Sequence, residues 1–239
     1  MRLWWLAALL TAAMPAGAQE RSATRAGFTL PADGGKRILV FRPAVSVGAQ
    51  STGGMFEPNA DWTDRARANI ATALARRQAL LGHHMIEAPP ATGEDLRRLA
   101  EYQALFGTVA RAVVEYQFFV GNRLPTKKRD NRAGVFDWSL GPGVRDLPGA
   151  GAADYALFLY SRDAFGSTGR KLLQVAALLG PRVAIAAGEH VGYAGLVDLR
   201  TGDLLWLNAD AAMGGDVREA DGADKRVGQL LEDFPGTAR

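Results

Sequence analysis

The 239-residue chain contains no cysteine. That absence removes disulfide scaffolds, thiolate metal sites, cysteine nucleophiles and lipid attachment at a lipobox cysteine. Histidine is scarce too, with only His83, His84 and His190. His83 and His84 are adjacent, so a helix sends them about 100° apart and a strand sends them to opposite faces. Neither arrangement supplies the i, i+4 ligand pair of a zinc helix, and no metal or cofactor is expected. Excess charge is also missing: 28 Lys and Arg face 25 Asp and Glu, and the net +3 is scattered. A nucleic-acid partner is therefore not expected. Long hydrophobic runs are lacking as well. The most extended apolar region, 172–187, is interrupted by Gly180-Pro181-Arg182 and reads as core rather than as a membrane span.

What is present is a globular composition, 48% hydrophobic and 22% charged, enough to bury a core. The amino terminus carries a short charged start (Met1, Arg2), an apolar stretch over 3–14, Pro15, and the small triplet Ala16-Gly17-Ala18. This pattern predicts a secretory signal peptide over 1–18 cleaved after Ala18, and hence a periplasmic protein, with outer-membrane association open. Residues 19–37 are small, polar and glycine-bearing, and are expected to form a flexible leader. No repeat or linker divides 38–239, which is expected to be a single α/β domain.

Within that domain Ile38-Leu39-Val40-Phe41, closed by Pro43, reads as a buried first strand, and 46–59 as a loop. Asp61 is expected to cap an amphipathic helix over 62–81 whose apolar positions include Ala66, Ile70 and Leu74. A short link through His83-His84-Met85-Ile86 and the Pro89-Pro90 break leads to a second helix over 94–119 opened by Thr92. Residues 121–151 show turn formers without a sustained period, a pattern that marks a functional or mobile loop. Asp154 to Tyr160 has strand chemistry on both faces, as for a central strand. A helix over 169–179 is expected to be capped by Ser167 or Thr168. The stretches 191–199 and 203–210 form a β-hairpin with Gly202 as the left-handed residue after a type I turn. A helix over 222–234 closes the chain at Pro235-Gly236. The fold expected is α/β: a mixed sheet of about 4–5 strands covered by helices, with the carboxy-terminal hairpin followed by a helix.

Chemistry-bearing motifs mostly fail on spacing. Gly166-Ser167-Thr168-Gly169-Arg170-Lys171 resembles a phosphate loop, but Lys171 is followed by Leu172 rather than by a hydroxyl residue, so a capped helix start is the better reading. No serine sits in a Gly-x-Ser-x-Gly elbow, although Ser139, His190 and Asp198 can be written as a triad. The basic cluster Lys127-Lys128-Arg129 lies near Phe136 and Trp138 in the long loop. Aromatic anchors dominate protein interfaces, so these five residues are the candidate interaction surface. Basic residues beside aromatics also suit peripheral contact with lipid headgroups.

The hairpin pattern Val197-Asp198-Leu199-Arg200-Thr201-Gly202-Asp203-Leu204-Leu205-Trp206, together with Phe136-Asp137-Trp138-Ser139-Leu140-Gly141 and Ala153-Asp154-Tyr155-Ala156-Leu157-Phe158, carries a resemblance. It is similar to uncharacterised bacterial envelope proteins and lipoproteins related in fold to the curli-secretion component and to the amino-terminal domain of the Tol-system periplasmic protein. The hairpin pattern also resembles a β-propeller blade motif, but it occurs once rather than in every blade. The envelope resemblance implies structural roles for Asp198, Thr201, Gly202 and Trp206 and no catalytic residues. The chain departs from lipid-anchored relatives in having no cysteine. The function expected is an exported, non-catalytic cell-envelope protein that binds another envelope protein or copies of itself. The alternative is an exported hydrolase whose site is assembled from distant residues such as His190 and Asp198.

Overall fold

The computed structural model describes residues 21–31, 35–79, 81, 83–119, 122, 124–127, 135–179 and 188–236. The proposed signal peptide, 1–18, lies outside them, as do Lys128 and Arg129. The class expected from sequence is found: one mixed sheet with helices on both faces. The sheet is larger than expected, with eight strands among the described residues.

In chain order the strands are β1 (Arg21–Thr24), β2 (Arg37–Val40), β3 (Ala44–Gln50), β4 (Phe56–Pro58), β5 (His84–Glu87), β6 (Tyr155–Gly166), β7 (Gly188–Asp198) and β8 (Leu204–Asp210). The helices are α1 (Ala60–Gln78), α2 (Gly93–Val113), α3 (Thr168–Leu179) and α4 (Ala220–Leu230). The sheet runs β1-β8-β7-β6-β2-β5. Pairs from β1 to β6 are antiparallel, whereas β2 lies parallel to both β6 and β5. Strand β3 continues alongside β6, also parallel, and carries β4 on its outer side.

Strand alternation sorts the core into two layers. Ile38, Val40, Leu157 and Leu159 face α1 and α4, and Leu39, Phe41, Ala156 and Phe158 face α2. Both faces of β6 are buried, as expected of a central strand. Ring contacts consolidate the α2 layer: Phe158 lies 5.1 Å from Phe41 and 5.4 Å from Phe106, centroid to centroid.

Several expectations are corrected. Arg21–Thr24, inside the supposed leader, pairs with β8 from Arg21↔Ala209 to Thr24↔Trp206; backbone pairing with an otherwise open edge needs no apolar run, so composition concealed it. The glycine-rich 46–59 segment holds most of β3 and all of β4. The supposed link at His84–Glu87 is the edge strand β5. The cap of α1 is Asn59, whose side chain accepts the Trp62 N–H at 2.9 Å, rather than Asp61. Helix α2 does open at Thr92 and runs on into a π turn at Val114–Phe118. The first turn of α3 is held as expected, with Ser167 Oγ accepting the Arg170 N–H at 3.3 Å. The described part of 121–151 contains short 3₁₀ turns whose Val144, Leu147 and Ala150 are buried against the α2 layer. Within 172–187, read from sequence as core, Leu172 is 67% and Leu173 42% exposed.

Candidate functional site

Three places concentrate the residues that chemistry or binding would use: a buried ionic cluster beneath α4, the loop and hairpin at one end of the sheet, and a groove at the sheet edge.

The ionic cluster is built by β6, β7 and α4. Ser161 and Asp163 share one face of β6, and the register sets Asp163 directly opposite His190 on β7. The Asp163 carboxylate takes Arg226 Nη1 at 2.9 Å and Nη2 at 2.8 Å, Ser161 Oγ at 2.9 Å and His190 Nδ1 at 2.8 Å. A carboxylate oxygen accepts only from a protonated Nδ1, so His190 carries a proton on Nδ1 and Nε2 is the ring nitrogen that does not face Asp163. Arg226 spends its remaining donors on Ser161 Oγ at 2.8 Å and on the carbonyls of Gly214 and Gly215 at 3.3 and 3.2 Å. Asp163 and Arg226 are both fully buried. Burial pushes the Asp163 carboxyl up, but hydrogen bonds from His190 and Arg226 outweigh it and hold the group below the ordinary carboxylate range. Beside the cluster, Arg218 forms a forked pair with Asp216 and lies over the rings of Phe165, at 3.8 Å, and Trp62, at 4.6 Å. The cluster thus uses all four acceptor positions of Asp163 and the donors of Arg226 to fasten α4 to the sheet.

His190 therefore pairs with Asp163 and not with Asp198. Asp198 lies opposite Tyr155, eight residues along β7, or roughly 26 Å away at the rise of a strand. Ser139 stays at the Asp198 end, where its Oγ donates to the Gly202 carbonyl at 3.0 Å. The Ser139, His190, Asp198 trio is not assembled.

The hairpin residues act structurally. Asp198 Oδ1 accepts the N–H groups of Arg200 and Thr201 at 2.8 and 3.0 Å, Thr201 Oγ1 accepts that of Asp203 at 3.2 Å, and Gly202 has φ +80°. Trp206 is fully buried against Phe234. Of the expected interaction residues, Phe136 is 7% exposed and packs in the α2 layer. Trp138 is half-buried, and its indole N–H donates to Gln117 Oε1. Gln117 sits in the π turn and also donates to the Val135 carbonyl at 2.8 Å. Phe136 thus belongs to the α2 layer of the core, and Trp138 packs against that layer and is tied to Gln117 of the π turn. Lys127 ends a 3₁₀ turn at Pro125–Lys127.

The groove was not among the sites expected from the sequence. Strands β2 and β3 form one broken line beside β6, interrupted at Phe41-Arg42-Pro43. On the outer side, Val40 accepts the Ala88 N–H, the Arg42 carbonyl is taken by the Gln103 side chain, and Val47 receives Asn59 N–H at 2.9 Å and donates to Thr63 Oγ1 at 3.0 Å. Alternation makes Val45 outward-facing like Val47, and β4 begins its pairing only at Gly48. Among the described residues no strand pairs with the outer side of Val45, which lies in a gap of at most about 20 Å between β5 and β4. Two adjoining cavities of about 400 and 390 Å³ occupy it. Their walls come from α1 (Ala71, Leu74, Ala75), α2 (Leu96, Leu99) and the prolines Pro43, Pro89 and Pro90. Gln103 Nε2 donates to the Arg42 carbonyl at 2.6 Å and fixes the break. Leu96, at the mouth, is 54% exposed. Neither cavity is lined by Asp163, His190 or Arg226. Pro43 and Pro89-Pro90 were the sequence signals for this gap, since proline cannot donate to a ladder.

No family model matches this chain, and no curated protein matches it. Among solved structures, the PelC dodecamer from Paraburkholderia phytofirmans aligns at 13% identity and a TM-score of 0.36, covering 93% of this chain and 99% of that one. A point variant of the same protein aligns at 12% identity with the same TM-score and coverage. No helix among the described residues is long and apolar enough to cross a membrane.

Proposed function

We propose that the chain is an exported, non-catalytic cell-envelope module that captures an extended apolar segment of another envelope protein along its open sheet edge. The observation that carries this reading is Val45, which alternation turns outward into a groove lined by Leu96 and Leu99 and by Arg42, Arg67 and Gln103. A segment laid there would pair with Val45 as an added strand and bury alternate side chains against Leu74, Leu96 and Leu99, the mode of β-augmentation. Export rests on the amino-terminal pattern, and an envelope role on the resemblance carried by the hairpin. The non-catalytic reading is supported by the way the ionic cluster spends its donors and acceptors on itself.

The test places a photo-crosslinking residue at Leu96 in the cell and, as control, at Lys225 on α4. The reading expects an adduct at 96 and none at 225. The crosslinked partner segment, made as a peptide, should bind the purified protein, and Leu96→Arg should weaken it about tenfold, as for loss of an apolar anchor. A peptide that binds Leu96→Arg as well as wild type overturns the reading.

The pair of His190 and Asp163 favours a second reading, a hydrolase using His190 Nε2 as base. It requires labelling by a serine-reactive fluorophosphonate that is lost in His190→Gln.

A further inference from the structure

At the far end of β3 from the groove, the turn 51–55 packs on the first turn of α3. The Ser51 N–H donates to the Met55 carbonyl at 2.9 Å, and Arg170 Nη1 reaches the Ser51 carbonyl at 3.5 Å. At this tip the turn and the start of α3 carry three exposed large apolar side chains: Met55 is 71%, Leu172 67% and Leu173 42% exposed. Lys171, between the turn and the two leucines in sequence, is exposed as well. Over 166–188 the chain has three cations, Arg170, Lys171 and Arg182, and no acidic residue, and the turn 51–55 has no acid either. The nearest acids in the pairing register are Glu57 on β4, opposite Ala49, and Glu189 on β7, opposite Ala164, both behind the tip along the strands. Arg162 offsets them from the ring of Phe56, 4.5 Å away.

We infer that this tip docks on an anionic bilayer, seating Met55, Leu172 and Leu173 at the boundary between headgroups and acyl chains while Lys171 meets lipid phosphates. Charge complementarity selects the occupant: the exposed Lys171 stands beside two exposed leucines in an acid-free stretch, as an interfacial membrane helix does, while Arg170 is buried against the turn. Shape agrees. A turn and a helix start project from the end of the sheet, and a compliant lipid surface accepts such a projection without a matching concavity. The inference is independent of the groove and of the loop at Lys127.

The test is vesicle flotation of the protein purified from the envelope as the cell makes it. Vesicles of phosphatidylglycerol with phosphatidylcholine are compared with phosphatidylcholine alone, at low and high salt. The inference expects flotation with the anionic vesicles only, weakened by salt. Leu172→Asp and Met55→Glu should each reduce it by about tenfold or more, the cost of carrying a charge into that boundary. Met55→Glu lies on an exposed turn, and an unchanged melting temperature shows that the fold is intact. Binding to neither vesicle overturns the inference, as does wild-type flotation of both variants. A sedimentation coefficient that falls in Leu172→Asp, with vesicle binding unchanged, assigns the patch to a second copy of the chain and overturns it too.

Discussion

Asp163 and Arg226 meet as a forked ion pair with both side chains fully buried, Nη2 to Oδ1 at 2.8 Å and Nη1 to Oδ2 at 2.9 Å. The pair joins the middle of β6 to the last helix, and its other hydrogen bonds leave neither charge unaccompanied. Removing one partner strands the other charge in the core, whereas replacing both with apolar groups does not.

Arg226→Met is expected to destabilise the protein by about 3–5 kcal/mol, while Asp163→Leu combined with Arg226→Met costs much less than the two single changes added. Urea unfolding of the four forms checks this. Additive single and double effects would contradict a closed pair.

Acid should unfold the protein through the same region. The Asp163 carboxyl sits below its ordinary value, as does that of Asp216, held there chiefly by its hydrogen bonds from Arg218. A depressed carboxyl contributes its stability in full above the unfolded value, about 3.9, and loses it as pH falls through the folded value. Stability is therefore flat on this account near neutrality and falls below about pH 4. Asp216→Asn should be less stable at neutral pH and show a shallower acid loss. Equal acid slopes in the two proteins would count against the assignment.

Gly202 has two reasons to be glycine. Its φ is +80°, and an added Cβ would come within 2.0 Å of the Gly141 carbonyl oxygen. Gly27 has the same φ with nothing within 4 Å of that position. Gly27→Ala should cost about 1 kcal/mol from backbone strain alone, and Gly202→Ala clearly more. Thermal melts of the two variants separate conformational strain from collision.

Trp206 is fully buried, and its indole N–H has no hydrogen-bond partner among the described residues. Trp206→Phe therefore leaves no acceptor unpaired and returns the cost of a stranded donor, about 1–3 kcal/mol, against the lost packing. A net destabilisation below about 2 kcal/mol is expected, smaller than the 3–5 kcal/mol typical of emptying an aromatic site by Trp→Ala. Chemical denaturation of the two variants provides the comparison.

The parts of the fold that the sequence made plain were those decided locally. The hairpin of β7 and β8 was readable because Asp198, Thr201 and Gly202 close their own turn within a few residues. The helix α1 was readable because Ala66, Ile70 and Leu74 repeat on one face. Strand β5 was not, because four residues at a sheet edge acquire their structure from β2, nearly fifty positions earlier in the chain. The ionic cluster was missed for the same reason, although it left a trace: Arg226 interrupts the apolar face formed by Ala223, Val227 and Leu230, and Asp163 lies between the apolar run 156–159 and Ala164-Phe165 of a strand read as central. A charge on each of two buried faces is the signal of a buried pair. The hydrogen bond of Trp138 to Gln117 was not legible because a π turn that no periodicity announces brings Gln117 inward.

Amide hydrogen exchange at Val45 tests the central claim most directly, with and without the partner segment mapped by crosslinking at Leu96. The account predicts fast exchange in the free protein, in contrast to the hydrogen-bonded Val47 amide, and a slowing of about tenfold or more when the segment binds. A Val45 amide already as protected as that of Val47, or one whose exchange is unchanged with the segment bound, would contradict it.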